Sequence, residues 1–178
     1  MKIIRSICQY DYPDTETSQG KPANASGCVL ADLQMQIETI TGETYLETEF
    51  YNKLRANKII RDDCYINNYD DALRLMLIDR QAFAGQANVI EAIKRFSIRW
   101  GWFHAVNIPT AANSDGDFIP PIPLIAFMKA RQHAVLIVSM SKSEVGTVIC
   151  KVIDPQFRGD KARKTMPLTD FKKFGVFQ

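Results

Sequence analysis

The apolar residues of this chain change their spacing part-way along it, and that change restricts the fold more than any other feature. In the first half they recur every three or four residues, the period of one helix face. Leu30, Leu33, Ile37 and Ile40 predict a helix from about Cys28 to Thr41, with Gly42 placed to stop it. "LETEFYNKLRAN" predicts a second helix with Phe50 and Leu54 inward. "YDDALRLMLIDRQAFA" predicts a third, with Leu73, Met76, Leu77 and Phe83 inward. "NVIEAIKRFSIRW" opens with Asn88 and Glu91 at capping-box spacing and reads as a fourth helix or helical turn. Beyond it, "GWFHAVNI", "LIAFMKA", "HAVLIVSMSKS" and "GTVICKVIDPQ" are strand-like runs. "SKSEVG" suits a hairpin connection between the last two. "MPLTDFKKFGVF" predicts a short helix from near Thr169 and then a terminal strand. "KIIRSICQY" predicts a short strand at the start. Helices first and strands second is the order of an α+β fold, here one domain over residues 1–178.

Composition narrows the function classes. With 46% hydrophobic and 24% charged residues the chain can bury a core. A net charge of +2 gives no electrostatic reason to expect nucleic acid or a membrane surface as partner. The basic cluster Lys161, Arg163 and Lys164 reads as a solvated loop. No run approaches the 18 or so apolar residues of a membrane-spanning helix, and "MKIIRSICQYDYP" holds no signal-peptide core. The expectation is a cytoplasmic protein, or one exported without an N-terminal signal. Cys8, Cys28, Cys64 and Cys150 show no paired spacing, so structural zinc is not expected. In a domain of this size without a signal, disulfides are the weaker reading, and thiol chemistry implies no cofactor.

Three short stretches carry chemistry. "SGCVLADL" sets Cys28 on the first turn of a helix, where the exposed N–H groups favour a thiolate. Gly27 before it removes a Cβ where a substrate carbonyl would approach. The plain alternative is a small buried hydrophobe. "RQHAVLIVSM" has His133 opening an apolar strand, where a histidine can equally be satisfied by a backbone carbonyl. The other histidine, His104, sits among aromatics in "WGWFHAV" and suits a packing role. "VICKVIDPQ" ends a strand at Asp154, and Pro155 forces the chain out of the ladder. If these strands form a hairpin through 142–146, the start of the first lies opposite the end of the second. Asp154 then reaches a ring nitrogen of His133. Should Asp154 face solvent instead, Asn113, Asp115 or Asp117 would be the candidate orienters. The amide of Gln9 and the backbone N–H of Cys28 could together stabilise an oxyanion.

The order Gln, "SGC" opening a helix, His opening a strand and "DP" closing the next resembles the papain-like cysteine peptidases. It is nearest to the bacterial branch that includes the bacteriocin leader peptidases. The resemblance spans most of the chain in outline, though residues 43 to 120 carry no matching motif. It implies a papain-like fold, with an N-terminal helical part packed on a C-terminal antiparallel sheet. It also implies Cys28 as nucleophile, His133 as general base and acid, Asp154 as its orienter and Gln9 as oxyanion donor. Relatives usually read Cys-Gly-Pro where this chain has Cys28-Val29-Leu30, and Gly where it has Gln132. Both departures bear on substrate access. The implied activity is a cysteine peptidase or amidase, cleaving an amide or isopeptide bond through a thioester acyl-enzyme. Alternatives are a peptidoglycan-cleaving or acyl-transferring effector of the same fold, or a catalytically silent binding module. The partner expected is a peptide or other amide substrate.

Overall fold

The computed structural model describes residues 4–14, 26–83, 99–103, 118–120 and 122–177. Three α-helices occur among them: α1 (Cys28–Thr41), α2 (Glu47–Ala56) and α3 (Tyr69–Phe83). Six strands follow: β1 (Trp100–Phe103), β2 (Leu124–Met128), β3 (Ala134–Lys142), β4 (Val148–Ile153), β5 (Arg163–Pro167) and β6 (Phe171–Phe177). The strands form one antiparallel sheet in the order β1-β6-β2-β3-β4-β5. This is the α+β arrangement that the change of period predicts. The expected fourth helix and most of the loop after β1, with His104, Asn113, Asp115 and Asp117, lie outside the described residues.

α1 begins at Cys28 and ends where Gly42 takes a left-handed φ of 76°, its N–H bonding the Glu38 carbonyl at 3.0 Å. The expected stripe is inward: Leu30, Leu33 and Ile37 are fully buried, and Ile40 is half-buried. Each of the buried three contributes about 1.5–3 kcal/mol relative to exposure. Burial extends beyond the stripe, because Ala31, Asp32, Gln34, Met35 and Gln36 are also enclosed. Two glutamines meet the polar requirement of that position. The Gln34 carbonyl accepts from the Tyr12 hydroxyl at 2.7 Å while its amide donates to Glu38 and the Tyr45 carbonyl. Gln36 donates to the carbonyls of Pro123 and Gly175 across to the sheet. Arg5 closes one end by pairing with both Glu38 and Glu47. α2 turns Phe50 and Leu54 inward as expected. α3 does so with Leu73 and Met76, and Leu77 is half-buried.

The sheet buries both faces. Ile125, Ala134, Leu136, Ile153 and Phe177 pack against the helices, while Ala126, Val135, Ile137, Cys150, Phe171 and Phe174 form a second cluster on the reverse. β3 and β4 make the expected hairpin, with Gly146 at φ 82° in its turn. Their register slips by one residue between Ile137 and Ser139, which restores the pairing of Leu136 with Ile153 at the far end.

Three expectations need correction. Residues 4–8 of the expected first strand join no ladder, and Gln9–Asp11 form a short 3-10 turn. Ile7 and Cys8 are apolar because they are buried against the core, a requirement that a loop can meet as well as a strand. Arg163 and Lys164 are not in a loop but in β5, an edge strand paired with β4. An edge strand with one solvent face can be polar, so hydropathy does not mark it. The helix expected near Thr169 is a single 3-10 turn, Leu168–Asp170.

On β1, Trp100 and Trp102 project to one side, with ring centroids 5.1 Å apart, and Trp100 stacks on Tyr69 at 4.0 Å. Their seat is Gly175 of β6. A Cβ there would lie 2.1 Å from one Trp100 ring carbon and 2.9 Å from a Trp102 ring carbon. Gly175→Ala is therefore expected to displace both indoles and cost about 1–3 kcal/mol by overpacking. Denaturant unfolding together with near-ultraviolet circular dichroism would measure this, and an unchanged aromatic spectrum would contradict it.

Candidate active site

His133 precedes β3 in a tight connection from β2. Its carbonyl accepts from the Met128 N–H at 3.0 Å, and its own N–H bonds Arg131 at 2.9 Å. Asp154 follows the last residue of β4 and is pinned by its backbone to Ala162 at 2.7 Å. The two side chains meet as the hairpin argument requires, with His133 Nε2 2.8 Å from Asp154 Oδ1. Both are buried.

Asp154 is held by more than the histidine. The Gln156 N–H donates to Oδ1 at 3.0 Å, Lys164 Nζ donates to Oδ2 at 2.9 Å, and an Arg131 nitrogen stands 3.6 Å from Oδ2. Burial by itself pushes this carboxyl up. The hydrogen bonds from His133, Lys164 and Gln156 overcome it and hold the group well below the usual carboxylate range. Lys164 also sits over the Phe157 ring at 3.5 Å, so its ammonium is held from two sides. The sequence reading missed Lys164 by placing it in a loop. Its signal lay in alternation along "RKTMP", which turns every second residue to one face.

Cys28 lies at the start of α1, with Gly27 as a cap that offers no side-chain bond. Cys28 is 8% exposed, and the backbone N–H groups of Ala134, Val29 and Cys28 itself act on its thiol in the direction that favours the thiolate. Ala134 is the residue after His133, so the thiol abuts the histidine's own segment. Gln9 is brought to the same place by its N–H, which donates to the Pro155 carbonyl at 2.8 Å. Cys28, His133 and Gln9 line one cavity of about 1170 Å³, along with Val29 and Gln132, two of the residues at which the chain differs from the papain-like pattern.

One expectation about this cysteine is overturned. A helix start and an imidazole neighbour should lower its pKa, yet burial pushes the thiol up to about 11, with Asp32 adding to the rise and the three N–H groups opposing it. The helix-end effect is real but smaller than the desolvation of a thiolate in this position. Cys64 and Cys150 are pushed by burial to about 12. All four cysteines are free thiols. Among the described residues no group of three or more His, Cys, Asp or Glu is placed to hold a metal ion. No helix among them is long and apolar enough to cross a membrane.

Asp32 is the second residue that sequence reading missed. It lies one turn along α1 from Cys28, fully buried, and neither carboxyl oxygen has a hydrogen-bond partner. Burial, and then the charge of Asp154, drive its carboxyl well above the usual range. An acid in the apolar run "CVLADLQMQI" was visible, but nothing in the pattern separated it from a solvent-facing position. No protein-family model matches this sequence, and no curated protein matches it.

The two carboxyls impose opposite pH dependences. Asp154 has a folded pKa below its unfolded value, so its contribution is complete above about pH 4 and is lost as pH falls toward the folded value. Asp32 has a folded pKa above its unfolded value, so its contribution is complete below about pH 4 and is lost as pH rises. Asp32→Asn, which keeps the shape and removes the ionisation, is expected to raise stability at pH 7–8 by about 1–3 kcal/mol. That advantage should vanish near pH 3. Asp154→Asn should lower stability at neutral pH and flatten the loss between pH 4 and pH 2. Thermal melts of the three proteins across pH would check both directions, and a neutral-pH melt of Asp32→Asn at or below that of the parent would refute the first.

Proposed function

We propose that this chain is a cysteine peptidase or amidase of the papain-like kind, acting through Cys28, His133 and Asp154. One observation carries the reading. His133, paired with Asp154 at 2.8 Å, lines the same cavity as Cys28, which opens a helix, and the Ala134 N–H that follows His133 favours the Cys28 thiolate. The helices-then-sheet order and the nucleophile at the first turn of α1 support the papain-like assignment of the fold.

The chemistry follows from the geometry. Asp154 occupies Nε2 of His133, leaving Nδ1 to take the thiol proton. With a resting thiol pKa of about 11, Cys28 is protonated at neutral pH, so proton removal belongs to the attack step and does not precede it. The sulfur adds to the acyl carbon, and the proton passes to His133. The Cys28 N–H and the Gln9 amide take the developing oxyanion. Collapse expels the amine, which receives the proton from His133. Water, activated by the same imidazole, then releases the acid from the thioester. An amine in place of water would make the enzyme an acyltransferase. Asp154 stays ionised throughout, fixing the ring and balancing the imidazolium, while Lys164 and Gln156 fix Asp154 in turn.

The test pairs activity with thiol reactivity. Cys28→Ala is expected to remove hydrolysis of fluorogenic peptide amides by at least about 10³-fold with an unchanged circular dichroism spectrum, since Ala suits a helix start sterically. Full activity in that folded variant would sink the assignment. Iodoacetamide labelling of Cys28, read by mass spectrometry, should keep accelerating as pH rises from 7 toward 10, because its folded pKa of about 11 lies above that range. His133→Ala should slow labelling at pH 7, while labelling of Cys64 stays as it was. Asp154→Asn should impair catalysis less than His133→Ala, since an amide still holds the ring. A silent binding module would show no hydrolysis and no response of Cys28 labelling to His133→Ala.

A further inference from the structure

The cavity that holds Cys28 extends well past the thiol, along the face of the sheet. Ladder pairing fixes what lies there. Ala134 of β3 pairs with Phe127 of β2, and Phe127 pairs with Lys173 of β6. Paired residues of neighbouring strands project to the same side, so these three form a row on the face that carries the thiol. Lys173 is two strand spacings from Ala134, about 10 Å. That is the reach of about three residues of extended peptide.

Lys173 is not loosely placed. Its Nζ lies 3.7 Å from the centroid of the Trp102 ring, and Trp102 is itself 40% exposed toward the cavity. The indole leans on Phe127 and Trp100, and it rests over Gly175. A cation seated on a fixed aromatic ring loses little freedom when it meets an anion. Lys172, next in the chain to Lys173, also lines the cavity, and Arg131 adds a third cation beside Asp154. The carboxylates that line the cavity among the described residues already have partners. Asp63 pairs with Arg61 at 2.6 Å, and Asp70 accepts the Trp100 N–H at 2.6 Å.

Resting on the peptidase reading for its catalytic end, the geometry points to an anionic subsite at Lys173 and Trp102, which selects peptide substrates with a carboxylate side chain within about three residues of the bond cleaved. The carboxylate pairs with the Lys173 ammonium, and the adjoining methylenes lie on the indole. Specificity of this kind comes from one charge-assisted contact, so removing the charge from either partner should lower affinity about tenfold.

Binding and hydrolysis are tested separately. Cys28→Ala protein is titrated with capped alanine-based hexapeptides carrying one glutamate at each position in turn, and with their glutamine counterparts. Tryptophan emission is the readout, since the chain has two tryptophans and both line the cavity. The expected result is about tenfold tighter binding of at least one glutamate peptide over its glutamine twin, abolished by Lys173→Gln and turned toward a lysine peptide by Lys173→Glu. Equal affinities across every pair, or a glutamate preference that survives Lys173→Gln, would overturn the subsite. The same peptides are offered to the unsubstituted protein. Absence of cleavage there counts against the peptidase reading alone, because the binding preference is read in a protein that has no nucleophile.

Discussion

Enclosure of α1 is the constraint on which the rest depends. A helix buried on every side cannot slide or tilt without opening voids, since cores are packed as densely as organic crystals. Except for Asp32, its buried polar side chains are accordingly tied down: Gln34 to Tyr12 and Glu38, Gln36 to Pro123 and Gly175, Glu38 to Arg5. The result is a fixed helix start, and Cys28 occupies it. The sheet supplies the second fixed point, because the β3–β4 pairing carries His133 and Asp154 to one end. A site assembled from rigid elements in this way keeps its geometry without help from loops.

What the sequence made legible was whatever a period or a stop signal encodes. α1 was readable to its last residue because an apolar stripe ended at Gly42, and the hairpin because two β-rich runs flanked a short polar turn. From the hairpin the His133–Asp154 contact followed by register alone. Less readable was everything set by three-dimensional surroundings. β5 lacks an apolar face, so Lys164 looked like a solvated charge although it is one of the anchors of Asp154. Ile7 and Cys8 looked like a strand because burial and strand pairing leave the same apolar mark. Asp32 showed no sign of its enclosure, and desolvation of Cys28, which reverses the expected direction of its pKa, is a property of packing that no local pattern carries.

A buried, protonated thiol alters how such a site would work. An exposed thiolate reacts with any electrophile that reaches it. A thiol of pKa about 11 is nearly inert until its proton has somewhere to go, and the neighbouring imidazole provides that only in the correct alignment. Selectivity would then come from substrate position, with the cavity walls deciding which acyl groups reach the sulfur in line. Val29 and Gln132 flank that approach. The aromatic wall built on Gly175 shapes its far end.

The dispersion of the site along the chain has a consequence for how the protein comes into being. Gln9 and Cys28 leave the ribosome well before His133, Asp154 and Lys164, which β3, β4 and β5 position. Contacts of such sequence separation close slowly, since loop entropy must be lost before they contribute. Through most of synthesis α1 therefore lacks the sheet it will be enclosed by, and its apolar sides stand open to chaperones or to other nascent chains. The thiol meanwhile has no partner to take its proton. The juxtaposition of Cys28 with His133 and Asp154 on which the proposed chemistry rests can form only after β3 and β4 have been made and have docked on α1.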